Sequence, residues 1–257
     1  MAKIISIANQ KGGVGKTTTA INLSSALAHM GRRVLLVDMD PQGNAGRGLG
    51  VDINNPNRTI YEALLGDCSI EQAMVKTPFD GLAVVPSNLR LANLEASMYS
   101  TPRAQPFFLL RDILAPLKDD FDYILIDCPP SLGLLNLNAL SCSTSVLIPV
   151  QCEYFAMEAV AAILSSIHNV QNQWNPSLSI EGFLLTMYDC RTQLGMEIQQ
   201  EVRRYFKETT FVTAIPRNQS VSESQARQIP VTVFRPTSAG SYAYIALAKE
   251  VIDHERP

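Results

Sequence analysis

Residues 9–18 read NQKGGVGKTT, and their types and spacing are those of a phosphate-binding turn. Backbone N–H groups of a glycine-rich loop can converge on an anion, and a helix that starts there adds its positive N-terminal end. The pattern G-x-x-x-x-G-K-[ST] is met at Gly15, Lys16 and Thr17, but Gln10 stands where its first glycine belongs and Lys11 follows. In this reading the cradle runs over Gly12, Gly13, Val14, Gly15, Lys16, Thr17 and Thr18. Lys16 reaches the β- and γ-phosphates, and the Thr17 hydroxyl holds Mg²⁺.

Magnesium on such a loop needs a carboxylate at the tip of a neighbouring strand. The run YILID ends on Asp127, just before CPPS. A second run, VLLVD, ends on Asp38 and leads into DMDPQG, which adds Asp40. Asp40 lies farther along the loop and is read as the acid that positions a water for in-line attack. Asp38 either supports Mg²⁺ or simply ends its strand. Lys11 raises a separate question, because Lys16 already serves the γ-phosphate. A lysine at the loop entrance could reach a partner subunit's phosphates, as an arginine finger does, or it could stand in solvent. Spacing alone leaves both open.

These residues need elements to hold them. KIISIAN (3–9) is a β-branched run bounded by turn residues and reads as a buried strand. KTTTAINLSSALAHM (16–30) places Ala20, Leu23, Leu27 and Met30 on one helical face and stops at Gly31. RVLLVD (33–38) is the next strand, so residues 3–38 form a βαβ unit with a parallel crossover. Further strands are expected at 81–87, 121–130, 143–150, 178–188 and 211–215. Helices are expected at 107–117, 153–174, 193–207 and 238–252. The sum is one α/β domain over residues 1–257, a P-loop nucleoside-triphosphatase fold. Its mostly parallel, twisted sheet of about seven or eight strands has helices on both faces. The Gly/Asn/Asp-rich stretch 39–58 is a long loop of the kind that carries function.

Composition narrows the rest. With 257 residues, 46% of them hydrophobic, the chain can bury a full core. Its apolar runs are too short to span a bilayer, and the N-terminus lacks a signal-peptide pattern, so a cytoplasmic location is expected. The five cysteines form no CxxC pair and read as reduced thiols; the three histidines lie far apart and are assigned no chemistry. Net charge is −3, which does not announce a nucleic-acid partner. Residues 180–240 hold seven Lys/Arg against six Asp/Glu, a net of +1 in a chain otherwise acidic. Arg191 and Arg217 fall there, and their positions alone read as solvated surface. Arg203, Arg204 and Lys207 share one expected helix.

KGGVGKTT resembles the deviant Walker A motif of the ParA/MinD superfamily, and DMDPQGNA and LIDCPPSLG resemble its two switch segments. VQCEYFAMEA, TMYDCRTQL and AIPRNQSVSES narrow the resemblance to the ParA/Soj chromosome- and plasmid-partition ATPases, over nearly the whole chain. The resemblance implies a Mg²⁺-dependent ATPase that binds ATP and ADP and dimerises around ATP, with Lys11 crossing the dimer interface. It implies adenine contacts from Pro216 and Asn218. It further implies non-specific binding of double-stranded DNA by the dimer, through Arg191 and Arg217, and hydrolysis triggered by a ParB-type centromere-binding protein. The location implied is cytoplasmic and nucleoid-associated.

The chain departs from the family in two places. Many relatives carry SEAPS-x-G-x-P where this chain reads SESQARQIP, and Ser-Arg-Gly where it has Ser238, Ala239 and Gly240. The missing arginine bears on the DNA surface, and Arg227 and Arg235 are candidates to compensate. A MinD-like membrane cycle would need a basic amphipathic C-terminal helix, whereas this chain ends ALAKEVIDHERP. A metal-cluster carrier of the nitrogenase iron-protein kind would need paired interface cysteines. A ParA-like role in positioning a protein cargo shares the same chemistry. No helix-turn-helix segment is expected ahead of the first strand.

Overall fold

The apolar runs of the sequence become strands of one sheet whose two faces are both covered, so the strands need no polar alternation. The computed structural model describes residues 1–53, 58–94, 105–131, 133–152 and 156–254. In chain order the elements are β1 (Lys3–Ile7), α1 (Lys16–His29), β2 (Val34–Asp38), α2 (Asn44–Gly48), α3 (Ile60–Leu65) and α4 (Ile70–Ala73). There follow β3 (Val75–Lys76), β4 (Leu82–Val85), α5 (Leu109–Leu114), β5 (Tyr123–Asp127), α6 (Leu134–Cys142) and β6 (Ser145–Gln151). The chain continues through α7 (Ala156–Gln173), β7 (Ser179–Thr186), α8 (Gln193–Phe206), α9 (Gln219–Ala226), α10 (Val231–Phe234) and α11 (Ala239–Asp253).

The seven strands run in the order β3-β4-β2-β5-β1-β6-β7. Every neighbouring pair is parallel except β3 with β4. Alternate residues divide between two cores. Ile4, Leu35, Val37, Ile124 and Ile126 face Leu64, Leu110, Leu140 and Ile163 of α3, α5, α6 and α7. Ile5, Ile7, Val34, Leu36 and Leu125 face Leu23 and Leu27 of α1 and Tyr244 and Leu247 of α11. Each such fully buried side chain contributes about 1.5–3 kcal/mol. The parallel register sets Ile7 beside Asp127 and Asp127 beside Asp38, so β1, β2 and β5 deliver their carboxyl ends to one place. In open parallel sheets ligands bind at that edge.

The structure departs from the expected elements in particular ways. Residues 211–215 are not a strand. Phe211 N and Ile215 N do bond to Phe183 O and Leu185 O of β7. Between them, however, Val212 N and Thr213 N are taken by the Glu250 carboxylate of α11, each at 2.8 Å, and the ladder is broken. The expected helix 107–117 ends at Leu114 and tightens into a 3₁₀ turn, Ala115–Asp119, where Pro116 has no N–H to continue the α-ladder. Helix α6 was not expected; its run LLNLNALSC is buried on almost every side and carries no clear polar face to read. The stretch 39–58 is not all loop, because α2 forms inside it. Residues 54–57 of that stretch and 153–155 of the expected helix 153–174 lie outside the described residues.

Candidate functional site

The turn after β1 is held from three sides. Asn9 is buried, and its Nδ2 donates to Pro149 O of β6 at 2.7 Å while its Oδ1 accepts from Lys11 N at 3.0 Å. Thr186, at the end of β7, donates its hydroxyl to Val14 O at 2.8 Å. Gly13 and Gly15 have φ of +76° and +88°, the left-handed region that L side chains avoid. Gly15 is the N-cap of α1, with no side-chain cap and no acidic residue in the first helical turn. The first amides of a 14-residue helix are therefore available to an anion, and its dipole favours one there. Lys16 is buried, with 7% of its surface exposed, and its Nζ donates to Lys11 O at 3.1 Å. Burial lowers its pKa, and Asp127 opposes that most strongly. Lys11 itself stands half-buried at the loop entrance.

The three acids have different environments. Asp38 is fully buried, and its carboxylate accepts from Asp40 N at 3.1 Å, Ala45 N at 3.0 Å and Gly46 N at 3.2 Å. It thereby nucleates α2, which explains why a helix interrupts the expected loop. Burial pushes its pKa up to about 7 despite these amides. Asp127 is equally buried, yet among the described residues neither of its carboxylate oxygens has a hydrogen-bond partner at ordinary bonding geometry. Burial and the adjacent Asp38 push its pKa well up, while the nearby Thr17 hydroxyl and Lys16 pull it down. An orphaned buried carboxylate beside a hydroxyl fits a divalent cation with oxygen ligands. Thr17 and Asp127 are the residues that would hold Mg²⁺, with Asp38 beside Asp127 on the neighbouring strand. Asp40 is half-buried, and its Oδ1 accepts from Gln42 N at 2.9 Å.

Beside α1 lies a cavity of about 340 Å³ whose walls include Gly15, Thr18, Pro216, Asn218, Gln225 and Tyr244. Both residues expected at the adenine are thus brought to one cleft with the phosphate loop. Asn218 also caps α9, its Oδ1 accepting from Ser220 N at 3.0 Å. Sequence reasoning missed Asn9, Thr186, Gln225 and Tyr244. Asn9 adjoins the motif and could have been included, but the other three reach the site only through tertiary contacts.

The AAA domain family matches residues 2–180. The chain is 46% identical to the sporulation initiation inhibitor protein Soj of Bacillus subtilis (strain 168), with 98% of each covered. It is 48% identical to the chromosome partitioning protein ParA of Myxococcus xanthus, covering 100% of this chain and 90% of that one. The chain belongs to the ParA/Soj family of chromosome-partitioning ATPases. It also superposes, with a TM-score of 0.89 and 37% identity, on a Mycobacterium smegmatis protein described as cobyrinic acid a,c-diamide synthase with bound ATP analogue and magnesium. That match covers 100% of this chain and 96% of the other.

In this ParA/Soj chain the two arginines expected at DNA are both exposed and lie around one acid. Arg191 pairs with Asp189 through Nε and one terminal nitrogen, at 2.8 and 2.7 Å, and its backbone N bonds to the same carboxylate at 3.1 Å. Asp189 is held at about 2 chiefly by Arg191, with Arg217 adding to the effect. Arg217 N donates to Tyr188 O, which fixes its segment next to Asp189. Arg203 is partly engaged with Val212 O, and Arg235 pairs with Glu223. Among the described residues no helix is long and apolar enough to cross a membrane.

Proposed function

We propose that this chain, over residues 1–257, is one Mg²⁺-dependent ATPase unit that forms an ATP-sandwich dimer. The dimer binds double-stranded DNA without sequence preference and drives chromosome or plasmid partitioning. The observation that carries the catalytic part is the buried Asp127 carboxylate, without a hydrogen-bond partner among the described residues, set beside Asp38 and near Lys16 and Thr17. Mg²⁺ supplies charge neutralisation on the phosphates when bound. Gly12 to Thr18 cradle the phosphates, and Lys16 neutralises the β/γ side. Asp40 accepts a proton from, and orients, the attacking water. Lys11 extends from the loop entrance to a partner's phosphates. Such a reaction needs positioning and charge stabilisation, which is consistent with slow turnover raised by a ParB-type partner.

The dimer places two copies of the Arg191–Arg217 surface on one duplex, which makes DNA affinity a readout of nucleotide state. The same reading puts the protein in the cytoplasm, on the nucleoid. A membrane cycle is disfavoured because α11 spends its apolar residues Tyr244, Leu247 and Val251 on the core against α1.

The deciding experiment is fluorescence anisotropy of Asp40→Ala on random-sequence duplex with ATP–Mg²⁺, with ADP–Mg²⁺ and without nucleotide. Tight, salt-sensitive binding with ATP alone is expected. Dimerisation with ATP but no DNA binding in any state would reject DNA as the track and favour the positioning of a protein cargo.

A further inference from the structure

The segment Ser222–Pro230 departs from the family pattern at four positions: Gln225 in place of proline, Gln228 in place of glycine, Ser224 in place of alanine and Ala226 in place of serine. The first change places a functional group in the nucleotide cleft. Gln225 projects from α9, and its Nε2 donates to the Thr18 hydroxyl at the end of the phosphate loop. The wall that carries it is fixed to the same turn of α1. Asn22 Nδ2 donates to Thr18 O at 2.7 Å, and Asn22 Oδ1 accepts from Val231 N at 2.7 Å.

The cavity between these walls has Gly15 and Thr18 at the phosphate loop, and Pro216 and Asn218 along the 215–219 segment. Gln225 stands with Thr18 among its lining residues. A nucleotide with its phosphates on the loop and its base against Pro216 and Asn218 must run its sugar and first phosphate past this point. A carboxamide nitrogen has two N–H groups, and with one held by Thr18 the other is left for a ligand of the cavity. Proline at this position could donate nothing.

We propose that Gln225 is a nucleotide-binding residue, donating a hydrogen bond to the sugar–phosphate portion of a nucleotide in the cleft; the proposal rests on the ATPase reading above. Isothermal titration with ADP–Mg²⁺ tests it in the full chain. Gln225→Ala should bind about tenfold more weakly than wild type, the effect of losing one hydrogen bond to a charged group. Gln225→Glu is the sharper variant. It can still accept from the Thr18 hydroxyl and so keep the brace, but it sets a negative charge beside the phosphates, and it should bind more weakly than Gln225→Ala. Gln225→Lys keeps a donor and should bind at least as tightly as wild type. Melting of each apoprotein near the wild-type temperature establishes that the variants fold. If Gln225→Glu binds ADP as wild type does, Gln225 is only a brace for Thr18 and the proposal is overturned. Failure of the wild type itself to bind ADP would instead defeat the ATPase reading.

Discussion

Lys16 Nζ donates to the main-chain oxygen of Lys11 at 3.1 Å, so the two lysines of the loop are joined through one peptide. Asn9 Oδ1 holds the N–H of the same residue, Lys11. The Gly-Lys-Thr end of the phosphate loop and its additional lysine are therefore positioned as a unit. Removing Lys16 should cost more than a charge. Lys16→Ala should reduce ATP affinity by at least about a hundredfold, since a buried charge-assisted contact and the loop's own brace go together. Equilibrium binding of a fluorescent ATP analogue reads this directly, and retained tight binding would remove the loop from the nucleotide site.

Lys11→Ala leaves the Lys11 peptide in place and removes only the side chain. In the sandwich-dimer reading, ADP affinity of the monomer should stay within about twofold of wild type. Turnover should fall by a factor on the order of 10³, the scale of an arginine finger. Single-turnover hydrolysis and light scattering with ATP test the two halves. A loss of monomer ADP affinity equal to the loss of turnover would place Lys11 on its own nucleotide.

Gln228 has φ of +58° and occupies the residue after the α9 C-cap. Gln228 N bonds to Gln225 O at 3.0 Å and Ile229 N to Ser224 O at 3.1 Å, the hydrogen-bond pair that normally selects glycine there. Gln228→Gly should stabilise the protein by about 1 kcal/mol, because the left-handed conformation is costly for a side-chain-bearing residue. The expected change in Tm is about +2 to +4 °C. An unchanged or lower Tm in calorimetry would mean that the Gln228 side chain makes compensating contacts.

The Arg191–Asp189 pair gives a pH signature. A carboxyl held at about 2 stays ionised through the mildly acidic range, and the pair is lost as pH falls through that value. Arg191→Ala should return Asp189 toward the usual ~4, read by carboxyl NMR titration. The same substitution combined with Arg217→Ala should weaken DNA binding and flatten its salt dependence while leaving ATP-driven dimerisation intact. A double variant with wild-type DNA affinity would move the nucleic-acid surface elsewhere.

What the sequence by itself determined were the features set by neighbours along the chain. Gly13 and Gly15 before Lys16 specify a left-handed turn into a helix, and apolar runs ending in Asp38 and Asp127 specify buried strands with acidic tips. Turn chemistry and apolar patterning act within a few residues, so both are legible without coordinates. Other features were decided only by contacts between distant segments. The strand expected at 211–215 failed because Glu250, from the last helix, took its amides. Parallel pairing set Asp127 beside Asp38, whose own oxygens are satisfied by Asp40 N and by α2, and left the Asp127 carboxylate without a partner among the described residues. Thr186 and Gln225 joined the loop from β7 and α9. A hydrogen bond forms wherever folding brings a donor to an acceptor, and no local pattern in the chain records which distant partner that will be.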